Sequence, residues 1–328
     1  MSKKYSSYPT QGKLFEGWRR FLNEEKEPGD ETLASAGGDL TKMGVVKVVD
    51  FLNSPEGQDP KVRAALDGGE TDGSPGDEVM TVDEKSPSVG DMGPTQNEIS
   101  LMKSIGWPLS TLDSVDNVAT GDITGRGKRI VSSGNLVIDG HHRWSSTWAV
   151  AGNAATIDAK DIGLPGNSAD QKLAGAQLAI AATLPDDDGR PIPTATAKGV
   201  DDEGNPIQSD NILGKDAKAI EQMILDREGV VVPDTKQPLL GPEYLEKIKL
   251  KPAAQKYWGL SAEMDAEQVK STIVSVVAQN LSELPPPQGP RRDYMPQFDG
   301  GDTHKGQISL ADVEDTMKSG KTNYKSNY

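Results

Sequence analysis

Residues 136–144 read Leu136-Val137-Ile138-Asp139-Gly140-His141-His142-Arg143-Trp144, an apolar strand end that runs through a glycine into a helix start. That junction has chemical consequences. A helix N-terminus presents unpaired backbone N–H groups and the positive end of the helix dipole, and both favour an anion. Gly140 lets a phosphate approach the main chain closely. Arg143 adds a planar, bidentate donor suited to phosphate oxygens. Asp139 has three readings open: helix cap, ligand to a divalent cation, or base. His141 and His142 are two of the three histidines in the chain. They leave a helix start in different directions, so no paired metal site is expected from them. Trp144 and Trp148, spaced i, i+4, read as a core face.

Working outward, residues 129–138 read as two short strands around Ser132-Ser133-Gly134-Asn135, a hairpin turn signal. Downstream, His142 to Ala151 reads as a helix closed by Gly152 in the C-cap position, followed by a short strand at Thr156-Ile157-Asp158-Ala159. Upstream, residues 78–83 read as a strand. Pro94-Thr95-Gln96-Asn97-Glu98-Ile99 then opens a helix through Lys103, with Thr95 and Glu98 spaced as a capping box. Four further helices are expected near 169–184, 215–227, 241–249 and 265–283, the last ended by Pro285-Pro286-Pro287. The fold class expected is α/β (α+β): a small mixed sheet carrying the strand–turn–helix, a helical C-terminal half, and extended terminal segments.

The composition bounds what surrounds this core. The chain has 328 residues, a formal net charge of −15 and no cysteine, which removes disulfides, cysteine-based metal sites and thiol catalysis. Hydrophobic residues make up 34%, below the roughly 45–50% of an average domain, so one modest core with long loops is expected. Residues 23–91 hold seventeen acids and six bases and read as a solvated connector with one apolar helix near 41–53. Against this acidity, the window from Thr124 to Arg143 carries Arg126, Lys128, Arg129 and Arg143 and one acid, Asp139, a focused positive patch. No run of apolar residues is long enough to span a bilayer, so no membrane partner is expected. The acidic surface disfavours general nucleic-acid binding, although the 126–143 patch leaves single-strand binding open. By segment, the chain divides into a docking segment at 1–25, an acidic linker at 26–77, the core at 78–165, a mainly helical extension at 166–284, and a polar tail at 285–328.

The Leu136–Trp144 pattern, with Pro94–Ile99 upstream, resembles the ParB/sulfiredoxin-like fold, whose members carry a strand, a Gly-x-x-Arg phosphate-binding turn and a helix. The resemblance implies nucleotide or phosphate-ester handling. Sulfiredoxin activity is excluded, because the cysteine it needs in the turn is replaced by His141. The turn has one arginine, and no helix-turn-helix follows, which separates the chain from chromosome-partitioning ParB. The Asp-Gly-His-His-Arg form is closest to the free-serine-kinase branch. That likeness implies a nucleoside triphosphate or diphosphate with Mg²⁺, phosphoryl transfer, Glu98 as base with Asp139 assisting, and Gly140, His141, His142 and Arg143 at the phosphate. His142 is also a candidate catalytic group, and Glu98 has the purely structural capping role as its alternative.

The N-terminal segment Leu14 to Glu24 places apolar residues at 14, 15, 18, 21 and 22, one helix face. It resembles the capsid-targeting peptides of internal head proteins of large tailed phages, with Leu22-Asn23-Glu24 similar to a prohead-protease site. That likeness implies a phage structural protein contacted by residues 13–25, and a location in the host cytoplasm or the virion. Two alternatives to phosphoryl transfer therefore stand: a non-enzymatic virion component, and a ParB-like nuclease.

Overall fold

The computed structural model describes residues 39–71, 78–123, 125, 127, 129–184, 189–195 and 210–325. The docking segment 13–25, Leu22-Asn23-Glu24, and Arg126 and Lys128 of the basic window lie outside the described residues. In chain order the elements begin α1 (Val45–Leu52), α2 (Pro60–Leu66), β1 (Val82–Lys85), β2 (Gly93–Pro94), α3 (Leu101–Ile105) and α4 (Leu112–Asn117). The central portion is β3 (Ile130–Ser133), β4 (Leu136–Asp139), α5 (His141–Ala151), β5 (Ala159–Ile162) and α6 (Ala169–Thr183). The chain continues through α7 (Ala217–Leu225), α8 (Pro242–Ile248), α9 (Pro252–Trp258), α10 (Ala266–Ser282) and α11 (Leu310–Lys318). The protein is thus mixed α/β, with a five-stranded sheet in the order β1-β5-β3-β4-β2.

The chain forms two compact units rather than one core. One unit takes the described residues of Met1–Val82, Gly163–Ala195 and Pro296–Tyr328. Its central element is α6, buried from Leu173 through Ala182. Gly175 allows close packing there, since a Cβ would lie 2.9 Å from Pro165 and 3.7 Å from Thr41. Helix α1 has no side-chain cap of its own; Asp170 supplies one by accepting a hydrogen bond from Val45 N–H at 3.1 Å. The residues expected to be linker and tail are joined here by main-chain bonds, Asn323 N–H to Leu66 C=O at 2.8 Å and Leu40 N–H to Tyr324 C=O at 2.7 Å. The tail buries Phe298, Val313 and Met317. The linker-and-tail division is corrected for that reason: polar composition hid segments whose few apolar side chains meet a helix distant in sequence.

The other unit takes the described residues of Asp83–Ile162 and Thr196–Met295 and holds the sheet. Strands β3 and β4 form the expected hairpin, with Ser133 opposite Leu136 and Gly134 at φ +63°, the positive φ that a tight hairpin turn requires. Asp161 on β5 pins it, accepting from Ser132 Oγ at 3.0 Å and Gly134 N–H at 2.8 Å. Ser132 pairs with Val137 but Val131 pairs with Asp139, so the register slips at Ile138. A bulge of this kind bends a strand and re-aims the next side chain; here that side chain is Asp139. β2 runs parallel to β4, Pro94 beside Val137, and its proline is tolerated because β2 is an edge strand. Under the sheet, Trp144 and Trp148 meet edge to face, centroids 5.3 Å apart at 71°. Both are buried, as their spacing predicts.

Several boundaries move. The strand expected at 78–83 is at Val82–Lys85, and the one expected at 156–159 is at Ala159–Ile162. The helix expected from Pro94 starts at Leu101 instead: its N-cap is Ser100, whose hydroxyl accepts from Lys103 N–H. No capping box forms between Thr95 and Glu98, because Pro94 is held in β2 and the chain must leave the strand before it can coil. Helices α2, α4, α9 and α11 were not expected; each is nine residues or fewer. Among the described residues no helix is long and apolar enough to cross a membrane.

Candidate functional site

The bulged end of β4 delivers Asp139 directly to Gly140, which is the whole connection to α5. Gly140 adopts φ +88°, a conformation that costs other residues about 1–2 kcal/mol. A Cβ there would lie 2.7 Å from Ile130 Cγ2 and 2.9 Å from Arg143 Nη2, so glycine is required on both conformational and steric grounds. No side chain caps the N-terminus of α5. Asp139, the residue placed to do so, accepts instead from Gly140 N–H at 2.6 Å.

Arg143 folds back over this turn. Its Nε is buried without a hydrogen-bond partner, and among the described residues no ion pair or hydrogen bond reaches the guanidinium. A buried donor left unmatched by protein costs about 1–3 kcal/mol. Arg129, the other described cation of the basic window, is engaged by Glu84 at 2.7 Å.

The two histidines diverge. His141 is buried, with Nε2 accepting from Thr95 N–H and Gln96 N–H, each at 3.2 Å. Thr95 Oγ1 donates to Val137 C=O at 2.6 Å, and the same carbonyl supports the ring of His141. Burial, with a smaller contribution from the positive charge of Arg292, holds His141 down at about 3, so it is neutral at physiological pH. The structure therefore uses its ring to hold the 95–96 loop against β4. His142 points to the next stretch of that loop, Nε2 accepting from Ser100 N–H at 3.3 Å. Its carbonyl accepts from Ser146 Oγ at 2.6 Å, and that hydroxyl also reaches Ser104 C=O at 2.6 Å. The Ser104 and Ser145 hydroxyls meet at 2.7 Å. This buried hydroxyl seam fixes α3 against α5, and with it the approach of residues 95–100 to the turn.

Glu98, released from capping, is half-buried on that loop. Burial, with the negative charge of Asp293, pushes its carboxyl up, while Arg292 and Arg291 oppose the rise. Arg292 is itself lowered by burial, against the opposing effect of Glu98 and Asp139. It therefore stands within electrostatic reach of Glu98, Asp139 and His141. The structure brings Asp139, Gly140 and Arg143 together at one turn, with His142 alongside, and Glu98 is linked to Asp139 through the charge of Arg292. Sequence reasoning missed two participants. Asp210 accepts from Ser100 Oγ at 2.7 Å and Met102 N–H at 3.1 Å, capping α3 from a distant segment. Arg292 arrives from the stretch read as tail; the Arg291-Arg292-Asp293 cluster after four prolines in six residues, Pro285 to Pro290, was its one signal.

Asp139 stands at the turn and Glu98 on the neighbouring 95–100 loop, the two carboxylates that share the charge of Arg292 and that a divalent cation would use. Among the described residues no group of three or more His, Asp or Glu side chains forms a metal cage, and Mg²⁺ with a phosphate ligand commonly uses one or two carboxylates. Compared with known proteins, the chain matches no family model, no curated protein and no solved structure.

Proposed function

We propose that the Asp139–Arg143 turn binds the phosphate of a nucleoside di- or triphosphate, in a domain of ParB/sulfiredoxin-like type that transfers phosphoryl groups. The observation that carries this reading is Arg143: a guanidinium folded over an uncapped helix N-terminus, with a buried Nε and no described protein partner. Protein interiors match such donors; an anionic ligand would match this one. Main-chain N–H groups of the turn would hold the phosphate, and Arg143 would add a charge-assisted contact. Glu98 suits the base, since a carboxyl raised by burial holds a proton more readily than an exposed one. In the transfer, the acceptor hydroxyl oxygen forms the new P–O bond and the bond to the leaving phosphate breaks. The hydroxyl proton passes to Glu98. Mg²⁺, when bound, supplies neutralisation of the phosphate charge. His141 and His142 act through position, by tying the 95–100 loop to the turn.

Calorimetric titration of ATP, ADP and CTP with Mg²⁺ tests the reading. Arg143→Ala is expected to weaken binding at least about tenfold. Equal binding by both proteins, or none by either, overturns it.

A further inference from the structure

The segment after α10 is an extended strap. Pro285, Pro286, Pro287 and Pro290 fix φ along it, and it runs back along the edge of the sheet at β2. Gln288 N–H donates to Pro94 C=O at 2.9 Å, and Asn97 N–H donates to Pro290 C=O at 3.3 Å. Gln288 also covers Gly93, where a side chain on the glycine would collide with its amide. Directly beyond these anchors the chain makes a short 3₁₀ turn, Arg292–Tyr294.

The two arginines of the strap have different surroundings. Arg291 is exposed, pairs with Asp293, and lies over the Tyr294 ring at 5.8 Å. Arg292 is half-buried on the side of Glu98 and Asp139. The charge balance at the turn then depends on the strap. Arg292 is the strap cation within electrostatic reach of both carboxylates, Glu98 and Asp139, and without it those two charges would repel an incoming phosphate. Arg291 and Asp293 offset each other through their own ion pair, which leaves Arg292 as the charge the strap brings.

We infer that the proline strap completes the anion site, with Arg292 as the second guanidinium that lets the turn accept a phosphate beside Glu98 and Asp139. This rests on the phosphate reading of the turn. The strap's few prepaid conformations make it a low-entropy way to present that charge. Arg292 is thus a binding residue contributed from a segment roughly 150 positions downstream of the turn it serves.

The test is calorimetric titration of the full chain with inorganic pyrophosphate and Mg²⁺, in low salt. Wild type, Arg292→Ala, Arg292→Lys and Lys251→Ala are compared. Lys251 pairs with Asp116 at 2.6 Å elsewhere in the unit, so its variant removes the same charge away from the turn. Arg292→Ala is expected to weaken binding at least about tenfold, Arg292→Lys to recover part of the loss, and Lys251→Ala to stay within about twofold of wild type. Wild-type binding that survives Arg292→Ala overturns the strap inference and leaves the phosphate reading standing. No binding by wild type overturns both. Because lost binding could also follow from misfolding, the Glu98 carboxyl is titrated by NMR in parallel. Removing Arg292 raises its midpoint further in a folded protein, and an unmoved midpoint also counts against the inference.

Discussion

Replacing His141 with glutamine gives a pH-dependent change in stability that follows from the burial of one ring. In the folded chain His141 titrates at about 3, against 6.5 for the exposed side chain. Between those values the unfolded chain binds a proton that the folded chain does not, so stability falls as pH drops below about 6.5 and the loss levels off near about 3. Integrated over that difference, the ring removes about 2 kcal/mol of stability between roughly pH 7 and roughly pH 5. His141→Gln keeps an acceptor where Nε2 meets Thr95 N–H and Gln96 N–H, but it cannot titrate. The variant pays a fixed cost for the lost support from Val137, and the gap between the two proteins then narrows by about 2 kcal/mol on acidification. Urea unfolding followed by tryptophan fluorescence reads this in the right place, since Trp107, Trp144, Trp148 and Trp258 all belong to the unit that holds the turn. A gap constant within about 0.5 kcal/mol over that range would refute the reasoning, because it requires His141 to titrate as an exposed imidazole.

Two further outcomes are expected from the same assay. Gly140→Ala should destabilise the sheet-bearing unit by about 2–4 kcal/mol, from the left-handed backbone and the crowding against Ile130 and Arg143; an unchanged unfolding midpoint would show that the turn relaxes freely. Asp210→Ala removes the acceptor for Ser100 Oγ and Met102 N–H and should cost about 1 kcal/mol, with fluorescence and circular dichroism moving together; no shift would mean that the Ser100 cap alone holds the start of α3.

The parts of this fold that sequence alone makes readable are those set by residues close together. Gly134 and Gly140 announce their turns because each needs a positive φ, and both turns are found where they were expected. Trp144 and Trp148 announce a core face by spacing, and α6, α7, α8 and α10 by apolar period and caps. The capping-box pattern at Thr95 and Glu98 misleads because it measures spacing alone. The β2 pairing of Pro94 delays the helix until Ser100, whose own hydroxyl is better placed. Neither the second unit nor Arg292 is readable in this way. The unit is assembled from three separated stretches, of which the first and last are polar in composition and meet the apolar helix α6 of the second, and Arg292 owes its place to main-chain bonds between residues 94–97 and 288–290. Arg143 lies between these cases: its residue type and position suggest an anion contact, but only the three-dimensional arrangement reveals that no described side chain satisfies it.

The central claim concerns that guanidinium and the turn beneath it. Nitrogen–proton NMR of the full chain during addition of inorganic pyrophosphate follows both at once, through the amides of Gly140, His141 and His142 and the Nε–H of Arg143. The account predicts saturable shifts at these four positions, with the Arg143 Nε–H moving furthest. Resonances of the turn that stay fixed while pyrophosphate is added, or shifts confined to other surfaces, would contradict it.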